Sequence, residues 1–212
     1  MANLNLRRSL WASLFLVLLM GVAGTASANI VPSLVGGAPT ACSVATPCHN
    51  GSTVGWEYDY DVMLDNTQYI NTGINAAFYT IYDFGAVIGS IVTTGLLSTD
   101  FSAPVQNLID TPAFSQSGID SGNLLNVRQT ATTNIGPNVG STDLGNIYLV
   151  SAQGLTTPIR YDGQATSDTV HTVTGDTGPI LGPSIPEPAT AGLFLIGLAG
   201  ALAVGRKRAT RS

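Results

Sequence analysis

The clearest pattern in the chain lies over residues 56–64, where aromatic and branched residues alternate with Glu57, Asp59, Asp61 and Met63. A period of two with aromatic and β-branched residues is typical of a half-buried β-strand. One face of this strand is predicted to face the core, and the other is predicted to face solvent or a cation. The apolar positions are Trp56, Tyr58, Tyr60, Val62 and Leu64, and the intervening positions are Glu57, Asp59, Asp61 and Met63.

Several other segments have strand composition, and turn residues separate them. Two runs, 76–84 and 86–94, are too apolar for strands with one wet face, so they are predicted to lie centrally in a sheet, with Gly85 as the break between them. Convincing 3.6-residue periodicity is absent between residues 29 and 185. The sequence therefore predicts an all-β fold, an antiparallel β-sandwich of jelly-roll type. The further predicted strands are 105–109, 124–133, 147–152, 159–161 and 169–174.

The N-terminus has the three parts of a secretory signal peptide. Arg7 and Arg8 form a positive segment, residues 10–22 are apolar, and Ala26 and Ala28 form a small-x-small cleavage site. Cleavage by signal peptidase is expected after Ala28, which leaves residues 1–28 out of the mature protein.

The C-terminus also has three parts, in a fixed order. Pro186, Glu187 and Pro188 precede an uncharged stretch at 189–204, and a basic cluster of Arg206, Lys207 and Arg208 follows. The stretch can satisfy its backbone polar groups in lipid as a helix, and the basic cluster is expected to stay on the cytoplasmic side. Sixteen helical residues span about 24 Å against a hydrocarbon core of roughly 30 Å, which favours a transient span. A permanent single-pass anchor is the alternative interpretation.

This tail resembles the PEP-CTERM sorting signal of Gram-negative bacteria, with the resemblance running over residues 185–212. The resemblance implies that an exosortase cuts near Pro186–Pro188 and that the remaining protein goes to the cell surface or extracellular matrix.

The segment between the last predicted strand and this tail is rich in glycine and proline. Residues 175–185 are therefore predicted to be a spacer, because such sequences rarely form regular structure. The predicted organisation is a signal peptide at 1–28, a secreted domain at 29–174, the spacer, and the sorting signal at 186–212.

The secreted part is strongly acidic. Residues 29–185 contain twelve of the thirteen acidic residues and two of the eight basic ones, Arg128 and Arg160, so their net charge is −10. This charge argues against nucleic acid as a partner, because phosphates need cationic groups. Divalent cations, basic proteins and polysaccharide stay open as partners, and simple solubility explains the charge as well.

The two cysteines, Cys42 and Cys48, are close in sequence. In an oxidising compartment the expected state of such a pair is a disulfide. A metal site that uses both cysteines and His49 is one alternative, and a thiol nucleophile is another.

Two features of the predicted strands could bind a ligand. Asp59, Asp61 and Asp65 provide hard oxygen ligands for Ca²⁺, although a solvated strand face is the simpler interpretation. Aromatic side chains could stack on sugars, although alternating aromatics usually form core. The tyrosines in question are Tyr58, Tyr60, Tyr79 and Tyr82.

Catalytic motifs are scarce. The chain has neither a G-x-S-x-G elbow nor an H-E-x-x-H motif, and the triplet at 176–178 spells that of aspartic proteases without a second copy. No catalytic residue and no obligatory cofactor is predicted. The favoured function is a structural or adhesive protein of the surface or exopolysaccharide matrix; a carbohydrate-binding module and a secreted hydrolase are the alternatives.

Overall fold

The computed structural model of the chain describes residues 30–66, 68–73, 76–108, 120, 122–136, 140–167 and 171–185. These residues form short and long strands joined by tight turns, with a 3-10 turn at Val35–Gly37 and a single helical turn, α1, at Leu96–Thr99. The strands are β1 Ile30–Leu34, β2 Thr40–Ala41, β3 Trp56–Leu64, β4 Gln68–Tyr69, β5 Phe78–Ile81, β6 Val92–Thr93, β7 Val105–Asn107, β8 Asn126–Thr130, β9 Thr142–Ser151, β10 Thr156–Ser167 and β11 Val173–Pro183.

The strands form two antiparallel sheets. The first sheet has the order β1-β3-β9-β6, and β2 also pairs with β3. The second sheet has the order β11-β10-β5-β8-β7, and β4 also pairs with β10. Buried side chains from both sheets belong to one hydrophobic cluster, which is the arrangement of a sandwich. The predicted all-β fold is confirmed, whereas its jelly-roll connectivity stays a prediction.

The strand predicted at residues 56–64 is β3, with the same bounds. Tyr58, Tyr60, Val62 and Leu64 are fully buried, as the alternation predicts. The two positions at its start differ from the prediction. Trp56 is 38% exposed because it lies at the end of the sandwich, and Glu57 is 9% exposed because a loop covers it on the outer face.

The second apolar run, 86–94, is not a central strand, and this prediction is wrong. Only Val92–Thr93 pair, at the edge of the first sheet. The chain here passes from β5 in the second sheet to β6 in the first, so its backbone cannot continue one ladder. Gly85 and Gly89 both have positive φ, at 81° and 72°, which turns the chain between the sheets.

The predicted spacer at 175–185 is also wrong for most of its length. β11 covers Val173–Pro183 and pairs with β10 from Val173 opposite Thr166 to Pro183 opposite Thr156. β11 lies at an edge of the second sheet, where prolines are tolerated because one side of the strand makes no ladder. Its glycines also have a packing role, since a Cβ on Gly178 would lie 2.6 Å from the Tyr161 ring.

Buried polar groups connect distant parts of the core. The Tyr60 hydroxyl donates to the Leu181 carbonyl at 2.8 Å, which ties the first sheet to the edge strand of the second. The Tyr79 hydroxyl donates to Gln129 Oε1 at 2.6 Å, and the Gln129 amide donates to the carbonyls of Leu97 and Ser102. Burial raises the pKa of both tyrosines well above its ordinary value, so both stay neutral donors.

Candidate functional site

The disulfide predicted between Cys42 and Cys48 is present, with the two Cα atoms 5.2 Å apart. Backbone hydrogen bonds fix the loop that it closes: the Cys42 N–H donates to the Gly55 carbonyl at 3.0 Å, and the Cys48 N–H donates to the Ser52 carbonyl at 2.9 Å. Because both sulfurs are in the disulfide, the alternatives of a thiol nucleophile and of a metal site with His49 are wrong.

His49 follows this loop and binds the buried carboxylate of Glu57. Its backbone N–H donates to Glu57 Oε2 at 2.6 Å, and its Nδ1 lies 2.8 Å from Glu57 Oε1. The imidazole also stacks on the ring of Tyr148, with centroids 3.7 Å apart and planes 17° apart. One carboxylate thus satisfies both groups of His49, which explains how Glu57 is buried on a face predicted to be wet.

Asn50 fastens the same loop to the crossing segment between the sheets. Its side-chain amide donates to the Ile88 carbonyl at 2.8 Å and to the Ser90 carbonyl at 3.1 Å. These bonds give hydrogen-bond partners to two backbone carbonyls that lie outside the strands. His49 and Asn50, which follow the disulfide, are therefore a fixed cover on the outer face of the first sheet.

We expect the disulfide to be complete in the exported protein. Thiol labelling of denatured, unreduced protein should give no signal, and reduction should expose both cysteines of the chain. The Cys42→Ser variant, which frees one thiol, is the matched control, and loss of so small a ring should cost roughly 2 kcal/mol of the free energy of unfolding. Two reactive thiols per unreduced chain would show that the bond does not form.

The three aspartates predicted to bind Ca²⁺ do not form one cluster. Asp59 accepts a hydrogen bond from the Asn146 amide at 2.7 Å. Desolvation, followed by the Asp143 and Asp59 carboxylates, raises the pKa of Asp61. Asp65 lies past the end of β3, where it accepts the Asn66 N–H at 2.9 Å. Within the described ranges of 30–185, no three His, Cys, Asp or Glu side chains form a group that could hold a metal ion.

The proposed tyrosine platform is not exposed. All four tyrosines belong to the buried set, and the Tyr58 ring makes an edge contact with Phe84 at 5.4 Å between centroids. The interpretation of these aromatics as core is confirmed. Asp176 also differs in position from the prediction, since it lies on β11 opposite Gly163 rather than in a spacer.

The described chain ends in a fixed position at one end of the sandwich. The Ser184 N–H donates to the Leu155 carbonyl at 2.8 Å. The Ile185 side chain packs onto Gly85, where an added Cβ would lie 2.1 Å from Ile185 Cδ1. The described part of the chain therefore ends beside the loop that joins β9 to β10.

A family model matches the chain at this point. The model is that of the PEP-CTERM protein-sorting motif, and it covers residues 184–209. The chain carries a PEP-CTERM sorting signal. The PEP-CTERM motif implies an exosortase-targeted protein that is exported to the cell surface or beyond. Neither the curated proteins nor the solved structures gave a match to this chain.

The PEP-CTERM motif begins directly where β11 ends, because Ser184 is both its first matched residue and a hydrogen-bonded part of the domain. Most of its residues lie outside the described part of the chain, as does the predicted signal peptide with Ala26 and Ala28. Among the described residues, no helix is long and apolar enough to span a membrane. The predicted functional residues of the motif outside the described part are Pro186, Glu187, Pro188, Arg206, Lys207 and Arg208.

Proposed function

We propose that this chain is the precursor of a secreted surface or extracellular-matrix protein with a structural or adhesive role in exopolysaccharide or biofilm. The observation that carries the proposal is the sorting motif joined without a spacer to the last strand of a folded domain. A sorting signal in this position delivers the whole domain, so the domain itself is the cargo.

The order of processing follows from the sequence of segments. Signal peptidase removes residues 1–28 as the chain crosses the inner membrane. The stretch at 189–204 then holds the chain in the membrane, with the basic cluster at 206–208 inside. Exosortase cuts near Pro186–Pro188 and releases a domain that runs from Asn29 to the end of β11.

The surface chemistry of this domain supports a role outside the cell. The disulfide suits an oxidising compartment. A net charge of −10 over residues 29–185 keeps the domain dispersed and makes it compatible with polysaccharide that cations bridge. The carbohydrate-binding alternative depended on the tyrosine platform, and those tyrosines are buried. The hydrolase alternative gains no support from the described residues, so no second function is proposed.

The test compares the same strain with and without its exosortase, and with and without this protein. We expect the protein in the surface and matrix fraction only when exosortase is present, and in the membrane fraction otherwise. Removal of the protein should reduce the polysaccharide that stays attached to cells, and the intact gene should restore it. Unchanged polysaccharide retention would contradict the structural role, and unchanged location without exosortase would contradict the processing.

A further inference from the structure

Four exposed apolar side chains lie at one end of the sandwich, and we call them the apolar rim. Val44, Val54, Trp56 and Leu155 are 85%, 63%, 38% and 77% exposed. β3 begins at this end, β9 ends there and β10 begins there, since Trp56 pairs with Ser151 and the next strand starts at Thr156. Val44 belongs to the disulfide loop, which extends beyond the pairing of Ala41 with Trp56.

The rim is held in place by the domain. The Trp56 indole lies against Gly154, where an added Cβ would be 2.2 Å from the ring atom Cε2. The Tyr58 hydroxyl lies 3.0 Å from the Gln153 carbonyl and 3.1 Å from that of Leu155, and donates to them. The apolar side chains are therefore presented on a fixed loop, and their exposure does not arise from a loose segment.

The described part of the chain ends at this same rim. Ser184 donates to the Leu155 carbonyl, and the uncharged stretch of the tail begins at residue 189. The three residues 186–188 reach at most about 10 Å when fully extended. The headgroup layer on each side of a bilayer is about 5–8 Å thick. An inserted tail therefore brings the rim to the level of the lipid headgroups.

Among the described residues, Glu57 is the carboxylate next to Trp56 in the strand, and Asp83 and Asp120 lie toward β8. Glu57 is buried beneath His49. Asp83 and Asp120 lie around Asn126 on β8, which is separated from β10 by β5. Asp65 follows the opposite end of β3. The apolar side of this end is therefore the side of Trp56, whereas Asp83 lies two residues before Gly85, against which Ile185 packs.

We propose that the apolar rim inserts into the headgroup layer of the bilayer while the tail is still attached. This inference rests on the proposed function, in which residues 189–204 span the membrane. Tryptophan is enriched at that depth because its ring is apolar and its N–H is polar. The acidic domain is repelled by anionic headgroups, so the contact is made by apolar burial and not by charge. The docked rim holds the domain upright, with residues 186–188 at the membrane surface.

Trp56 reports on this contact directly, because the chain has two tryptophans and Trp11 lies in the signal peptide. The full chain with Trp11→Phe is expressed without exosortase, purified from the membrane and reconstituted into phosphatidylcholine vesicles. We expect brominated phosphatidylcholine to quench most of the Trp56 emission, and aqueous iodide to quench little of it. The control variant combines Trp56→Phe with Asn66→Trp, which places the tryptophan at the opposite end of β3. Its emission should be quenched by aqueous iodide and little by brominated phosphatidylcholine.

Leu155→Asp should reduce the quenching by brominated lipid, whereas Val105→Asp, at an exposed apolar position on β7, should leave it unchanged. Flotation of the vesicles distinguishes a failure of the rim contact from a failure of the proposed membrane span. A chain that floats but keeps Trp56 open to iodide overturns the rim contact and leaves the proposed function intact. A chain that does not float with the vesicles overturns both.

Discussion

The Gly163→Ala variant is expected to lose about 3 kcal/mol of the free energy of unfolding, at the upper end for an overpacked core position. A Cβ at Gly163 would lie 2.2 Å from the Ile30 carbonyl oxygen and 3.1 Å from the Ile30 C and N atoms. All three are backbone atoms of β1, which is itself paired with β3. Gly163 cannot move away either, because it pairs with Tyr79 on one side and Asp176 on the other. The methyl group would therefore push the two sheets apart.

Denaturant unfolding of the exported domain measures this loss, and Gly136→Ala is the matched control. An added Cβ at Gly136 meets nothing within 4 Å, and its φ is not positive, so this variant should change stability by no more than about 0.5 kcal/mol. Equal unfolding midpoints for the two variants would show that β1 does not approach β10 as closely as described.

Replacement of Pro186, Glu187 and Pro188 by alanine is expected to abolish processing. The sorting signal would lose the three residues near which we propose that exosortase cuts, whereas the proposed span and the basic cluster would still hold the chain in the membrane. The variant should therefore keep residues 189–212 and accumulate in the membrane fraction. A control with Thr210→Ala and Ser212→Ala, beyond the matched motif, should be processed normally.

Sequence patterns correctly predicted the features that depend on residues close together in the chain. The alternation in β3 predicted its bounds and, from Tyr58 to Leu64, its buried face, because that side of the strand packs on the core. The spacing of Cys42 and Cys48 and the expected oxidising compartment gave the disulfide. The order of segments at the C-terminus predicted the sorting signal, because this motif is defined by its sequence.

The sequence-based predictions were wrong where contacts between residues distant in sequence determine the structure. β11 has the composition of a spacer, but pairing with β10 and an edge position accommodate its glycines and prolines. Residues 86–94 have strand composition, but they cross between the sheets. Glu57 was expected in solvent, and only the return of the disulfide loop places His49 over it. No feature of the sequence around Glu57 predicted that His49 covers its carboxylate.

The intact mass of the protein recovered from the cell surface shows whether both ends of the chain are removed. We expect a chain that starts at Asn29 and ends near Pro186–Pro188, so that the mass of residues 189–212 is absent. A surface protein whose mass or C-terminal peptide extends through Arg206 would contradict it.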